Sequence, residues 1–411
     1  MTYNTHTLSN GLRVIHRPSA SPVVFCGFEI NAGSRHEPTG SEGLAHFCEH
    51  VSFKGTRHRR AWHILNCLES VGGDLNAFTN KEDTVYYAAI LNDHLPRAVA
   101  LLCDIVFNST FPQHEIDKEV AVICDEIESY NDTPTELIFD DFENIVFKGH
   151  PLGHNILGNA ERLKLFTTAD ALRFTQQHYR PQNMVFFADG DISFSRLVKL
   201  LEKNLAAVAA PEGETNAMAE AAIPPESAGG TVVLDKHTHQ SHVMVGTRAF
   251  DIHHPLRIPL YLLNNMLGGP GMNARLNLAL RERNGLVYTV ESSMATYSDT
   301  GMWSVYFGCD PHDVSHCLRL VRHELDRLMQ QPLTLRQLNA AKKQLKGQIG
   351  IAADNREQFA LDFGKSFLHY GWEKNVERLM QHIDDVSAEQ VLQTAQQLFT
   401  PKRLTTLIYQ C

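Results

Sequence analysis

No stretch of this 411-residue chain strings together the roughly 18 apolar residues that a membrane-crossing helix needs, so no membrane partner is expected. The eight cysteines (26, 48, 67, 103, 124, 309, 317 and 411) form no Cys-x-x-Cys pair and sit mostly within apolar text. They are expected to be reduced core thiols rather than a disulfide framework. Lysine and arginine never form a dense run, and 37 of them against 47 acids leave a formal charge of −10, which disfavours a nucleic-acid partner. The opening text "MTYNTHTLSNGLRVIHRP" lacks an apolar signal core and a small-residue cleavage site, so the expected location is the cytoplasm. No Gly-x-Ser-x-Gly elbow occurs. "GGPGMNAR" has glycines but not the Gly-Lys-Ser/Thr of a phosphate loop.

What is present is ample material for packed cores: 43% hydrophobic, 20% charged and 9% aromatic residues. The length fits two domains better than three. From 209 to 230 the text "AAPEGETNAMAEAAIPPESAGG" is rich in Ala, Glu, Pro and Gly and lacks large apolar anchors, which is linker composition. It separates 1–208 from 231–411. The flanking halves share an order of strands, helix, strands and helices. In the first, strand-like "LRVIHR", "SPVVFCGFEINAG" and "DTVYYAAIL" precede helical text and the buried strand "NMVFFADGDI". In the second, "GTVVLDK", "SHVMVGTRAF", "LVYTVESSMAT" and "MWSVYFGCD" precede helices at 311–330, 334–348, 355–369 and 387–398, and "RLTTLIYQ" closes the chain. Two copies of one α/β unit are expected.

Chemistry concentrates in "GLAHFCEHVSFKGT" (43–56). On a helix, His46 and His50 lie on one face with Glu49 beside them, so two imidazoles can aim at one point. Two imidazoles suit zinc, and a nearby carboxylate suits a general base toward a water at the metal, but zinc demands a third protein ligand. A candidate lies in "EVAVICDEIESYNDTP", where Glu119 and Glu126 stand two turns apart on an otherwise apolar helix. Acids there are costly to bury without a cation. One can ligate while the other bonds a ligand imidazole, and spacing alone does not say which. The plain alternative is a chance His-x-x-Glu-His among 22 histidines on a solvated face. "HTHQSH" (237–242) is a weaker possible second metal site.

"HFCEHVSFKGT" resembles the inverted zinc motif of the pitrilysin, insulysin and mitochondrial processing peptidase family, whose His-x-x-Glu-His reverses the thermolysin order. "GGDLNAFTNKEDTVYYAAIL" (72–91), "KEVAVICDEIESYNDTP" (118–134), "HPLGHNILG" (150–158) and "GGPGMNARLNLALRERNGLVYTV" (268–290) extend the resemblance over the whole chain. Two departures are Cys48, where an apolar residue is usual, and Val51-Ser52 in place of a Met-centred pair. Cys48 points away from the two histidines and reads as core.

The resemblance implies an α+β chain of two homologous α/β sandwich domains, each a mostly antiparallel sheet packed against helices. It implies a catalytic domain over 1–208 and a second domain over 231–411. It implies one Zn2+ per chain on His46, His50 and Glu126, with Glu49 as general base and Glu119 as the supporting carboxylate. Arg281 and Tyr288, in "RERNGLVY", would come from the second domain to the bound peptide, with the phenol donating to the developing oxyanion. Otherwise they are a helix-surface arginine and a strand-start tyrosine. Asn76 and Ala77 would lie on an edge strand that takes the substrate as an added β-strand, though an asparagine closing a turn after Gly72-Gly73 reads as well. The implied activity is zinc metalloendopeptidase cleavage of short or unfolded peptides inside an enclosed chamber, formed by a homodimer or a pair with a related subunit. The rival is a non-catalytic or partner-dependent subunit.

Overall fold

The computed structural model describes residues 2–208 and 229–410. Nearly all of the expected 209–230 linker therefore lies outside the described residues. In the first unit, β1 (Asn4–Thr7), β2 (Arg13–Pro18), β3 (Val23–Ile30), β4 (Asp74–Thr79), β5 (Thr84–Leu91) and β6 (Met184–Gly190) pair in the order β1-β2-β6-β3-β5-β4. In the second, β7 (Thr231–Asp235), β8 (Ser241–Ala249), β9 (Val287–Thr296), β10 (Gly301–Cys309) and β11 (Thr405–Gln410) pair in the order β7-β11-β8-β10-β9.

Setting β1 aside, the two sheets have one plan. β2 and β6 run parallel, as do β7 and β11. The next three pairings in each sheet are antiparallel. The repeat expected from the shared strand–helix grammar is thus present, with mixed but mostly antiparallel sheets. Among the described residues, no helix is long and apolar enough to cross a membrane.

Alternation along the strands creates the layers. On β3, Val24, Cys26, Phe28 and Ile30 join a core with Phe47, Val51, Leu101 and Leu102 from the helices Leu44–Ser52 and Leu95–Asn108. The intervening Phe25, Gly27 and Glu29 face the other way. That face is covered over β3 and β6 by the helix Arg356–Tyr370, whose Phe363 meets Phe187 edge-on at 6.2 Å. The approach is close: a Cβ on Gly364 would lie 2.6 Å from Glu29 Oε2 and 3.0 Å from Phe187. In the second unit the corresponding cover on β8 and β11 is the helix Pro134–Val146, through Leu137, Ile138 and Phe142 against Met244, Leu407 and Tyr409.

Each compact unit therefore takes one helix from the other half of the sequence. Segment Ser129–Gly153 belongs to the second unit and Ala353–Asn375 to the first. The contiguous halves 1–208 and 231–411 differ from the compact units by this exchange. Its physical reason is that each sheet has a second apolar face to bury, and the covering helix need not be local in sequence. The helices Ala61–Glu69, Pro134–Val146 and Val376–Asp385 were not anticipated from the sequence.

Ionic contacts seat the exchanged helix on the first sheet. Arg356 pairs with the fully buried Asp189 and donates to Ser21 Oγ at 2.6 Å. Arg13 donates to the carbonyls of Phe367 and Leu368 at 2.9 and 3.1 Å, near the helix C-terminus where carbonyls lack helical partners. Asp83 accepts from Lys365 Nζ at 2.8 Å and His369 Nε2 at 3.2 Å. Burial alone would raise the Asp83 pKa, but these two partners outweigh it and hold the carboxyl below its ordinary range.

A depressed carboxyl stabilises the fold fully above its unfolded pKa, near 4, and loses that contribution as the pH falls toward the folded value. Asp83→Asn should cost about 3 kcal/mol at pH 7 and flatten the loss of stability below about pH 4. Denaturant midpoints measured from pH 7 to pH 2 check both expectations.

Candidate active site

The chain enters the helix Leu44–Ser52 through Gly43, whose φ of +97° is the left-handed conformation that favours glycine. A side chain there is also excluded by space, since a Cβ would lie 2.8 Å from Leu157 O and 2.9 Å from Gly158 Cα. Glu37 caps the exposed backbone donors: Gly43 N–H donates to Oε2 at 2.9 Å and Ala45 N–H to Oε1 at 2.8 Å. His154 Nε2 lies 3.0 Å from the same carboxylate. The loop 154–158 thus holds the start of the helix.

One turn on, His46 and His50 stack edge to face with ring centroids 4.5 Å apart. The helix Gln113–Asn131 brings Glu126 to both: His46 Nε2 lies 3.9 Å from Oε1, and His50 Nε2 lies 3.4 Å from Oε2. One ligand atom from each of these three residues lies within 4.8 Å of the others. Glu119, two turns earlier, takes a different part. Its Oε1 meets His50 Nδ1 at 3.1 Å and its Oε2 meets Lys54 Nζ at 2.6 Å. Glu126 thus faces both Nε2 atoms, whereas Glu119 lies behind His50.

This donor set fits a divalent ion. Two imidazole nitrogens and a carboxylate oxygen converge, and Glu119 can hold the His50 proton on Nδ1 so that Nε2 offers its lone pair. His46 is kept neutral, its pKa lowered to about 4 by burial and by His50 against the pull of Glu126. Burial opposes the His50 proton, but Glu119, Glu126 and Glu49 outweigh it and raise the pKa to about 9. An added dication would answer that accumulation of negative charge.

Glu49 is buried on the same helix, and its Oε2 accepts from Thr79 Oγ1 of β4 at 2.9 Å. Burial pushes its pKa up, against the His50 charge and the Thr79 hydrogen bond. That is the direction a proton acceptor working near neutrality needs.

Comparison with known proteins identifies the family. Residues 13–160 match the model of the insulinase family, peptidase family M16, and residues 166–345 match the peptidase M16 inactive domain. The chain is 32% identical to the uncharacterized zinc protease YmxG of Bacillus subtilis over 98% of its length and 97% of the relative's. It is 31% identical to an uncharacterized zinc protease of Rickettsia bellii, over 99% and 97% respectively. The chain belongs to peptidase family M16. Two solved structures share the fold of this M16 chain at 21% identity. A protease from Helicobacter pylori matches with a TM-score of 0.90 over all of both chains. A peptidase M16 inactive domain from Pseudomonas fluorescens matches with 0.89 over 100% of this chain and 98% of its own.

The remaining candidates of this M16 chain divide between the units. Asn76 and Ala77 lie on β4, the edge strand of the first sheet, paired to Tyr87 and Tyr86 of β5. Ala77 packs on the core, so Asn76 faces the opposite side. Arg281 and Tyr288 belong to the second unit, with the guanidinium 5.5 Å from the ring centroid and Tyr288 81% exposed at the start of β9. Cys48 is buried with its thiol toward Ala171 O. His237, His239 and His242 do not converge as ligands among the described residues, and His242 Nδ1 instead lies 2.9 Å from Tyr306 Oη.

Sequence reasoning missed Glu37, Lys54 and Thr79. Of these, Lys54 carried a signal, standing one turn after His50 on the side of Glu119. Glu119→Gln should weaken binding of a divalent metal about 10–100-fold while leaving its stoichiometry at saturation unchanged. Competition against a chelator of known affinity checks this.

Proposed function

We propose that this chain is a zinc-dependent endopeptidase in which His46, His50 and Glu126 hold one Zn2+ per chain. The convergence of those three side chains from two helices, with Glu49 buried alongside, carries the reading. The names of the relatives support the choice of metal. Zinc bound there supplies Lewis acidity that activates a water and polarises a peptide carbonyl.

The protein's own groups do the rest. Glu49, oriented by Thr79, accepts a proton from the attacking water and delivers it to the leaving amine. Glu119 is a positioning residue, fixing the His50 ring from behind with Lys54 as its counter-charge. The free edge of β4, with Asn76 and Ala77, receives the substrate as an added strand through main-chain hydrogen bonds that do not depend on sequence. Arg281 and Tyr288 of the second unit contact that peptide, and the Tyr288 hydroxyl donates to the oxygen on which negative charge develops. Substrates of this kind are short or unfolded peptides. A cytoplasmic chain acting as a homodimer, with paired copies enclosing the peptide in a chamber, completes the proposal.

Glu49→Gln should retain one zinc per chain and lose about 10²–10⁴-fold in kcat on a quenched peptide pool. Glu126→Gln should lose the metal itself. Metal analysis paired with turnover checks both, and an unimpaired Glu49→Gln would sink the proposed proton route. The mass of the chain in solution, with and without activity, separates a self-sufficient dimer from a partner-dependent subunit.

A further inference from the structure

The helix that carries His46, Glu49 and His50 is gripped at two points. Near its start Glu37 accepts from the Gly43 and Ala45 backbone N–H groups, and one turn further on Glu49 accepts from Thr79 Oγ1. Glu37 and Thr79 are distant in sequence, yet the segments that carry them are joined. Segment 32–37 lies along residues 80–84, where β4 turns into β5. Ser34 N–H donates to Asn80 O at 3.1 Å, Arg35 N–H to Lys81 O at 2.8 Å, and Thr84 Oγ1 to Ala32 O at 2.7 Å. The approach leaves no room for a side chain at Gly33, where a Cβ would collide with Asn80 O.

Within this junction Arg35 Nη1 pairs with Glu82 Oε1 at 2.7 Å, and both side chains are only 6% exposed. Lys81 adds a second tie. Its Nζ donates to the carbonyl of His154, whose Nε2 lies 3.0 Å from Glu37 Oε2. A buried ion pair contributes little net stability compared with apolar side chains of like volume, because both ions must leave water. What it supplies is direction, since a charge-assisted hydrogen bond holds its partners in one geometry. Here that direction acts between the two segments that grip the helix, with Glu37 just beyond Arg35 and Thr79 just before the turn that holds Glu82. Without the pair the turn is free to shift along segment 32–37, carrying the Thr79 hydroxyl away from Glu49. His46, His50 and Glu126 stay on their own helices, so the metal ligands are spared.

We propose that Arg35 and Glu82 are positioning residues for the proton acceptor: their contact fixes the β4–β5 turn against the segment that caps the His46 helix, and so sets Glu49 relative to the edge strand. Neither residue touches the metal ligands. The inference rests on the peptidase reading above and adds to it a pair that acts through Thr79 and Glu37.

The test uses the full-length, zinc-loaded protein and one quenched peptide that the parent cleaves. Arg35→Met combined with Glu82→Leu removes the directional contact without leaving a buried charge alone. The double variant should keep the parent's thermal midpoint and its zinc, yet lose about 10–100-fold in kcat with KM changed less than about twofold. Glu82→Gln, whose amide oxygen can still accept from Arg35, should recover most of that loss. If the double variant fails to fold, Arg35→Lys decides, since an ammonium keeps the charge without the planar geometry of the guanidinium, and the same kcat loss with zinc retained is expected. Parent-like kcat in the folded variant, or kcat and zinc content falling together, overturns the positioning role and leaves the peptidase reading standing. A zinc-loaded parent that cleaves no peptide overturns both.

Discussion

The arrangement depends on one electrostatic constraint: negative charge from two separate helices must be gathered around a pair of imidazoles without unfolding either helix. Glu49, Glu119 and Glu126 surround His46 and His50, and Lys54 pairs with Glu119. The rest of the first unit holds that charge in place. Glu37 and the 154–158 loop fix where the His46 helix begins. The core of Phe47, Val51 and Ile123 keeps the two helices in register, since the residues between the functional ones are those that pack. The same periodicity that buries one face of each helix thus delivers the polar face to the site.

The two sheets show how far topology and chemistry can part. Five strands correspond in order and direction, yet the His46–His50–Glu126 cluster of the first unit has no counterpart on the corresponding helices of the second. The helix Leu335–Ala352 follows β10 as Gln113–Asn131 follows β5. Its text "LRQLNAAKKQLKGQIGIA" contains no acid, where "QHEIDKEVAVICDEIESYN" contains six. The helix after β8, Arg257–Gly268, buries Asn264 and Asn265 rather than histidines. A duplicated plan preserved the packing positions and left the exposed stripe free to specialise, which is why function must be argued from the site and not from the fold.

Much of this was legible because it is local. The His46–Glu49–His50 spacing and the Glu119–Glu126 stripe follow from helical geometry alone, and the strand runs announced the repeat. What remained hidden depends on pairings distant in sequence. Thr79 meets Glu49 only because β4 pairs with β5 in one register, and a shift by a single residue would turn it to the other face. Glu37 looks like an ordinary loop acid until the chain folds back to cap a helix. The exchange of covering helices was equally unreadable, since amphipathic text such as "PTELIFDDFENIV" specifies a face to bury but not which sheet receives it.

Among the described residues β4 and β9 each pair on one side only, and open edges are hazards unless they are short, charged or used. β9 guards itself with Glu291 and exposed polar neighbours. β4 does less: beyond Asp74 its text is "LNAFT", without a charge. An uncharged edge is what a strand-adding ligand requires, because main-chain hydrogen bonds form only where no charged side chain must be stripped of water. The strand proposed to take the peptide is also the one that places Thr79 against Glu49, so on that reading one register would tie binding to proton transfer.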